Sequence, residues 1–454
     1  MTPQSATHVS NAAATRRTIV VGLGRTGMSC ARYLHARGIE FAVTDSRAAP
    51  PEAQALRQLS PGIEMRFGGF DQALLDGATQ VIASPGVSLE EPFMRAAAAR
   101  GIEVVGDIEL FVRETQAPIA AITGTNGKST VTTLVALMAN AAGKRAIAAG
   151  NLGRPVLELL DEPAGDIYVL ELSSFQLDTT HSLRAAAATV LNVTPDHMDR
   201  YATIEAYAAS KAHIFDGCQV AVLNLDDASV RAMATQVPNR IGFSLVRDPQ
   251  ASYYAEVANG DTVLMCRGER LVAMSELKIT GLHNAANALA SLAMCEALGL
   301  ERAPCLAALR DFSGLAHRSQ FVADVRGVRY VDDSKGTNVG ATLAAVAGMP
   351  GSLVLIAGGQ GKGQDFAPLA AAFRGKVRHV VLIGQDAKLI DAALAGVCTT
   401  EYARDMNEAV AAAARVAQPG ETVLLSPACA SLDMFRDYAH RGDVFAAVVR
   451  GLSA

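Results

Sequence analysis

The stretch Ile119-Ala120-Ala121-Ile122-Thr123-Gly124-Thr125-Asn126-Gly127-Lys128-Ser129-Thr130 is a short apolar run that breaks into a glycine loop ending Gly-Lys-Ser-Thr. Residues 134–142 then read as a helix. This is the order of elements a phosphate group needs. Backbone N–H groups curl around the anion, Lys128 supplies a point charge, and Ser129 or Thr130 can hold Mg²⁺ at a helix N-terminus. The commoner spacing, Gly-x-x-x-x-Gly-Lys-Ser/Thr, requires glycine at 122, where the chain has Ile122. The first glycine comes late, at Gly124, so the loop is a compressed variant of a nucleotide loop.

A chain of 454 residues is too long for one ordinary core and predicts two or three domains. Half the residues are hydrophobic and 19% are charged, a balance that suits helices covering parallel sheets and excludes a disordered chain. A net charge of −5 leaves no electrostatic footprint for nucleic acid, so anionic ligands must be met by loops and helix ends. The seven cysteines lie scattered, without a Cys-x-x-Cys pair, as buried thiols do in a reducing compartment. Residues 1–16 read as a loose tail rather than a signal peptide, and no apolar run approaches a membrane span. A soluble, cytoplasmic protein without membrane insertion is expected.

Working outward from the loop, three βα-rich blocks emerge. The first, 17–112, opens with a strand at 18–21, the glycines of Gly22-Leu23-Gly24-Arg25-Thr26-Gly27, a helix, and a strand at 41–44 ending at Asp45. That is a dinucleotide fingerprint in a strand–helix–strand setting, and NAD is its default ligand. Pro118 follows a linker-like stretch. The second block, 113–315, carries strand candidates at 167–170, 188–191 and 220–223. Residues 241–275 look like a separate β excursion with turns at Asn259-Gly260 and Arg267-Gly268. The third block, 316–454, alternates strands and helices like a small doubly wound sheet.

Several constellations could carry chemistry. Glu171 at the end of a buried strand could hold Mg²⁺ beside the loop, or pair with Lys128. Asp196-His197-Met198-Asp199 could ligate a metal, although Mg²⁺ prefers oxygen. Lys211 sits in an apolar helical pattern, where a lysine usually snorkels to solvent, and spacing alone gives it no role. In the third block, Asp332-Asp333-Ser334-Lys335-Gly336-Thr337-Asn338, Gly358-Gly359-Gln360-Gly361-Lys362-Gly363 and Ser426-Pro427-Ala428-Cys429-Ala430-Ser431-Leu432-Asp433 each follow a strand. The last is expected to put Ser431 near a positive helix end. Three such turns in one small sheet point to a pocket for carboxylates or phosphates. Cys429 reads as a packed thiol rather than a nucleophile.

These motifs together resemble the Mur ligases, the ATP-dependent amino-acid ligases of peptidoglycan synthesis. The resemblance rests on the compressed loop 124–130, on Glu171-Leu172-Ser173-Ser174-Phe175-Gln176-Leu177, and on the stretch from Asn192 to Tyr201. Gly281-Leu282-His283-Asn284-x-x-Asn287 and Gly314-Leu315-Ala316-His317-Arg318 follow in the family's order. Ser84-Pro85-Gly86-Val87 and the Ser426–Asp433 stretch look like the D-glutamate-adding branch, and the Asp-Asn-Pro-Arg signature of the diaminopimelate-adding branch is absent.

The resemblance implies an α/β fold of three domains: a Rossmann-like N-terminal domain, a central P-loop ATPase-like domain, and a C-terminal doubly wound Rossmann-like domain. It implies that the first domain binds the UDP end of UDP-N-acetylmuramoyl-L-alanine, rather than NAD, through Arg25, Thr26, Asp45, Ser46, Arg47 and Gly86. Asn151 and Ser173 would hold the inner part of that substrate. ATP would lie on Gly124, Thr125, Asn126, Gly127, Lys128, Ser129 and Thr130, with Asn284 and Asn287 near adenine and Arg318, Asp333 and Lys335 reaching from the third domain. Mg²⁺, at two sites, would be held by Ser129, Glu171, His197 and a carbamylated Lys211, which displaces the solvent-facing role that spacing alone gives this lysine. D-glutamate would meet Thr337, Lys362, Ser431, Leu432 and Tyr438, the last more often Phe in the family.

The implied chemistry is formation of an acyl phosphate from the substrate's carboxylate and ATP, then attack by the D-glutamate amine through a tetrahedral intermediate. Lys128, Glu171, His197, Lys211, Arg318 and Lys335 would be its catalytic set, working by positioning and charge neutralisation. A monomer is expected, with hinges near Pro118 and His317. The competing expectations are a related ligase of the Mur or folylpolyglutamate type acting on another amino acid, a nicotinamide dehydrogenase, and a non-catalytic nucleotide-binding regulator.

Overall fold

A computed structural model describes residues 17–452, so the tail expected at 1–16 lies outside the described residues. The chain divides into two compact units. The first holds a five-stranded, all-parallel sheet ordered Glu64–Phe67, Phe41–Asp45, Arg17–Val21, Ala78–Ala83, Glu103–Val105. Its central strand has four consecutive buried residues after Arg17, as a strand covered on both faces requires. Gly22 (φ +89°) opens the turn after this strand, and a Cβ on Gly27 would stand 1.9 Å from the Gly22 carbonyl oxygen. Only glycine at 27 lets the helix Arg25–Ala36 pack this closely against the turn.

Two stretches from farther along the chain, 153–164 and 175–182, also belong to this first unit. The helix Asp107–Glu114, which runs across position 112, anchors the second of them. Glu109 accepts from the backbone N–H groups of His181 (2.7 Å) and Ser182 (2.9 Å) and from the Ser182 hydroxyl (2.8 Å). Nearby Asp107 is fully buried with Oδ1 unpartnered, and burial pushes its carboxyl up to about 6. Because the folded value lies above the ordinary 3.8, the native state keeps the extra proton as pH rises from about 4 to 6. Stability therefore falls across that window, and the penalty is complete above it. Asp107→Asn is expected to stabilise this unit by on the order of 2 kcal/mol at pH 8 and to change little at pH 4, read as thermal midpoints at the two pH values.

The second unit contains two sheets. One has nine strands, ordered Glu269–Ala273, Asp261–Cys266, Ala251–Ala258, Asn239–Ser244, Val220–Asn224, Ala187–Val190, Ile119–Thr123, Ile167–Glu171, Ala146–Gly150. The stretch expected as a separate β excursion is instead the continuation of this sheet. Asn239–Ser244 pairs in parallel with both Val220–Asn224 and Ala251–Ala258, and only then does the ladder turn antiparallel. Both expected turns are present, with Asn259, Gly260, Arg267 and Gly268 all at positive φ, the conformation a two-residue hairpin needs. The core lies between this sheet and three helices. Val131, Leu134 and Met138 of Lys128–Ala141 pack with Leu289 and Leu292 of Leu282–Ala297 and Leu309 of Arg302–Asp311.

The other sheet has six strands, ordered Gln320–Val325, Val328–Asp332, Thr422–Leu425, Leu353–Gly358, Val377–Ile383, Thr399–Tyr402, parallel except for the first pair. One expectation fails here. After Thr422–Leu425 the chain runs without a helix to Tyr438–Gly451, so Ser431 is not at a helix N-terminus; Tyr438 is the first residue of that helix. Among the described residues, no helix is long and apolar enough to cross a membrane. All seven cysteines are free thiols, and burial pushes Cys429 up to about 12, which rules it out as a nucleophile at neutral pH.

Candidate active site

Ile122 lies fully buried in the strand Ile119–Thr123, in register with Glu171 on one side and Thr189 on the other. The strand thus extends through the position where a longer loop would already have turned, and that is why the loop is compressed. Gly124 (φ +143°) starts it against the backbone of Leu191 and Asn192, and Gly127 (φ +86°) caps the helix that begins at Lys128. A Cβ on Gly127 would stand 2.5 Å from Asn287 Oδ1. The loop is laced to the next strand's end: Thr125 N donates to Asn192 O (2.9 Å), Asn126 N to Asn192 Oδ1 (2.8 Å), and Thr194 N to Thr125 Oγ1 (3.0 Å).

Lys128 Nζ donates to the loop's own carbonyls, Gly124 O (2.7 Å) and Thr125 O (2.8 Å). Residues of the six-stranded sheet reach the same place. Arg318 Nη2 donates to Ser129 Oγ (2.7 Å), Lys362 pairs with Asp196 (2.8 Å), and Asn338 exchanges side-chain hydrogen bonds with Asn126. Burial lowers Lys128, Arg318 and Lys335, the last to about 8, and the neighbouring cations deepen the effect for both lysines. Cations this close, each made less basic, form a site that gains from an added polyanion.

Beside them is a cavity of about 260 Å³ lined by Asn126, Gly127, Thr130, Asn284, Asn287, Arg318, Asp333 and Lys335, residues separated by up to 209 positions in the chain. Asn224, Phe243 and His283 also line it and were missed from the sequence. His283 had a signal, standing directly before Asn284 in a recognised motif, whereas Phe243 had none. Burial pushes the Asp333 carboxyl up to about 7 despite the Ser426 hydroxyl at 2.8 Å.

Glu171, in register with Ile122, and Lys211, bonded to Gly124, also border the loop. Asn151 Nδ2 donates to Glu171 Oε1 (2.7 Å), leaving Oε2 buried with no partner. An orphaned carboxylate oxygen is costly in a dry site, and its chemistry suits a hard cation. Lys211 is 1% exposed, which corrects the solvent-facing position expected from its spacing. Its Nζ donates to Gly124 O (3.1 Å) over the Tyr207 ring (4.3 Å). His197 has left-handed backbone (φ +56°), and burial holds its imidazole neutral, down at about 4. Among the described residues no group of three His, Cys, Asp or Glu side chains is placed to hold a metal, so Glu171 would need the Ser129 hydroxyl, a modified Lys211 and the ligand's own oxygens to complete a shell.

The remaining expected residues fall on strand ends. In the first unit, Arg25 and Thr26, Asp45 to Arg47, and Gly86 follow three adjacent parallel strands at their carboxyl ends, where open α/β sheets bind ligands. Burial opposes ionisation of Asp45, yet Arg47 and the Leu23 N–H hold its carboxyl down at about 2. In the second unit, Thr337, Lys362 and Ser431 follow strands of the six-stranded sheet, Leu432 is largely exposed, and the Tyr438 ring lies under the Lys335 ammonium at 4.0 Å. Ser173 follows Glu171 by two residues.

This geometry has relatives. The chain matches the Mur ligase MurD-like N-terminal domain over residues 16–106, the Mur ligase middle domain over 122–295, and the Mur ligase glutamate ligase domain over 317–429. The chain belongs to the Mur ligase family. Curated members similar to it are the UDP-N-acetylmuramoylalanine–D-glutamate ligases of Nitrosococcus oceani, 51% identical over 95% of this chain and 96% of that one, and of Methylobacillus flagellatus, 52% identical over 96% and 97%. Among solved structures, the fold is shared with a pseudomurein peptide ligase type C from Methanothermus fervidus (TM-score 0.63, 16% identity, 96% of this chain and 100% of that one). It is shared also with the UDP-N-acetylmuramate–alanine ligase of Thermotoga maritima (TM-score 0.59, 18% identity, 96% and 99%). As in the Mur ligase family, the α/β fold carries three domains, one to each sheet.

Proposed function

We propose that this Mur ligase joins D-glutamate to UDP-N-acetylmuramoyl-L-alanine, using ATP and releasing ADP and phosphate, in peptidoglycan precursor synthesis. The observation that carries the reading is the cavity in which Asn284, Asn287, Arg318, Asp333 and Lys335 meet the loop 124–130. The identity of about half of all residues with two D-glutamate ligases over nearly the full chain supports the choice of amino acid.

ATP lies with its phosphates on the loop, where Lys128 exchanges the Gly124 and Thr125 carbonyls for phosphate oxygens, and Arg318 and Lys335 neutralise charge from the opposite side. The carboxylate of the first substrate attacks the γ-phosphate, giving an acyl phosphate and ADP. The amine of D-glutamate then attacks the acyl carbon, and the tetrahedral intermediate collapses by expelling phosphate. Glu171, Ser129, His197 and carbamylated Lys211 would hold Mg²⁺ at two sites, where it would supply charge neutralisation for the transferring phosphoryl group. Asn151 fixes the Glu171 carboxylate and leaves Oε2 available. Thr337, Lys362, Ser431, Leu432 and Tyr438 receive D-glutamate, and the first unit's strand ends receive UDP. All substrate groups fall on one chain, which supports a monomer, and seven free thiols support a cytoplasmic setting.

ATP binding should depend on the charge of Lys335. Its pKa of about 8 means that the ammonium form dominates below that pH and is lost above it. ATP affinity, measured by calorimetric titration, is expected to be flat below pH 8 and to fall by up to about tenfold per unit above it. Lys335→Arg, which stays charged, should flatten the profile; a wild-type profile with no fall would contradict this role. The amino acid is tested by product mass with D-glutamate, L-glutamate, L-lysine and diaminopimelate. Product is expected with D-glutamate alone, and product with L-lysine or diaminopimelate in its absence defeats the assignment.

A further inference from the structure

Among the described residues, Arg441 is the largest fully buried side chain, at 0% exposure, and no step above uses it. It sits in the first turn of the helix Tyr438–Gly451. Its three hydrogen bonds go to a hydroxyl and two backbone carbonyls: Nε to Ser334 Oγ (2.9 Å), Nη2 to Ser334 O (2.8 Å), and Nη1 to Cys429 O (3.1 Å). Asp332, Asp333 and Asp433 act on it only through space. Burying a cation without a carboxylate partner is costly, and packing alone could be supplied by an apolar side chain of similar volume. What an apolar side chain could not supply is the fork of donors that ties two loops together.

Those two loops serve different substrates. Ser334 stands between Asp333 and Lys335, on the ATP side, and its hydroxyl donates onward to Tyr438 O (2.7 Å). Cys429 precedes the Ser431 turn on the amino-acid side. That turn is joined to the Lys362 loop through paired backbone bonds between Ala430 and Gln360 (3.0 and 2.9 Å). The Asp333–Lys335 loop has other anchors, including Ser319 N on Asp333 and Lys335 N on His317 O. Other bonds also join the two groups, with Asp333 N on Leu425 O (2.8 Å), the Ser426 hydroxyl on Asp333, and Gln364 between Val339 N and Gly361 O (both 2.8 Å); Arg441 adds the direct bridge from Ser334 to Cys429.

On the reading of the site given above, we infer that Arg441 is a positioning residue that holds the amine-delivering loops at a fixed distance from the acyl-phosphate-forming loop. Its loss lets the Ser431 turn and Lys362 drift while ATP is still used. Water then attacks the acyl phosphate in place of the amine, returning the starting carboxylate and phosphate, and a proton is released.

The test is the ratio of phosphate released to amide formed in Arg441→Met and Ser334→Ala, beside KM for D-glutamate and for ATP. In wild type the ratio should be about one. In Arg441→Met it should rise to about three or more, with KM for D-glutamate up about tenfold and KM for ATP changed less than about threefold. Ser334→Ala, which removes one acceptor and leaves the buried cation, should move the ratio in the same direction by less, and it carries the test if Arg441→Met fails to fold. A ratio that stays at one while turnover and both KM values change together would make Arg441 merely structural and overturn the inference. A wild-type enzyme whose phosphate release ignores D-glutamate would instead overturn the functional reading.

Discussion

Lys128→Ala is expected to lower ligation by roughly a thousandfold, about 4 kcal/mol of transition-state stabilisation, with only a small change in thermal midpoint. The reason is where Lys128 sits. Its ammonium is buried in the mouth of the loop, held by two carbonyls that phosphate oxygens can replace without moving the backbone. On the proposed reading, removing it leaves Arg318 and Lys335 as the remaining cations to meet the phosphates. The helix Lys128–Ala141 is anchored by Val131, Leu134 and Met138 in the core, so the fold does not depend on the charge. Turnover measured with ATP and both other substrates saturating separates this loss from weaker ATP binding. A variant within about tenfold of wild type would remove Lys128 from the chemistry.

Lys211→Ala should cost about as much, and Lys211→Arg should fail equally although it keeps the positive charge. A lysine at 1% exposure, donating to Gly124 O at the start of the loop, is placed on the proposed reading to matter as an oxygen ligand once carbamylated rather than as a cation. Arginine stays protonated and cannot take up CO₂, so the carbamate account makes it as poor as alanine. Protein equilibrated with ¹³C-bicarbonate should show one carbamate carbon resonance that Lys211→Arg lacks. Full activity in Lys211→Arg, or no such resonance, would return this lysine to a purely structural role.

How far the sequence carried depended on whether a signal was local. The glycines at 22, 27, 124 and 127 each answer to a positive φ or a close approach, and a strand next to a helix makes that need visible in a dozen residues. The buried parallel strands read as short apolar runs for the same reason. Local signals misled where a distant contact decided the outcome. Lys211 has the spacing of a solvent-facing lysine, and only the fold puts Gly124 O beside it. The 241–275 stretch has hairpin turns that suggest independence, yet strand Asn239–Ser244 feeds it into the nine-stranded sheet. Ser431 lies in a strand-to-helix connection too long for its apparent helix end to be real. The convergence of Asn284, Arg318 and Lys335 on one cavity was reached through family motifs rather than through spacing, because no local pattern joins positions so far apart. Arg441 gave no signal at all: an arginine four residues into a helix start looks solvated until its three buried acceptors are seen.

The most direct test of ATP-driven ligation is phosphate release from ATP in the presence of UDP-N-acetylmuramoyl-L-alanine alone, D-glutamate alone, and both together. Sustained release is expected only with both, matched one for one by a new amide. Sustained release with D-glutamate absent, or amide formation without ADP, would contradict it.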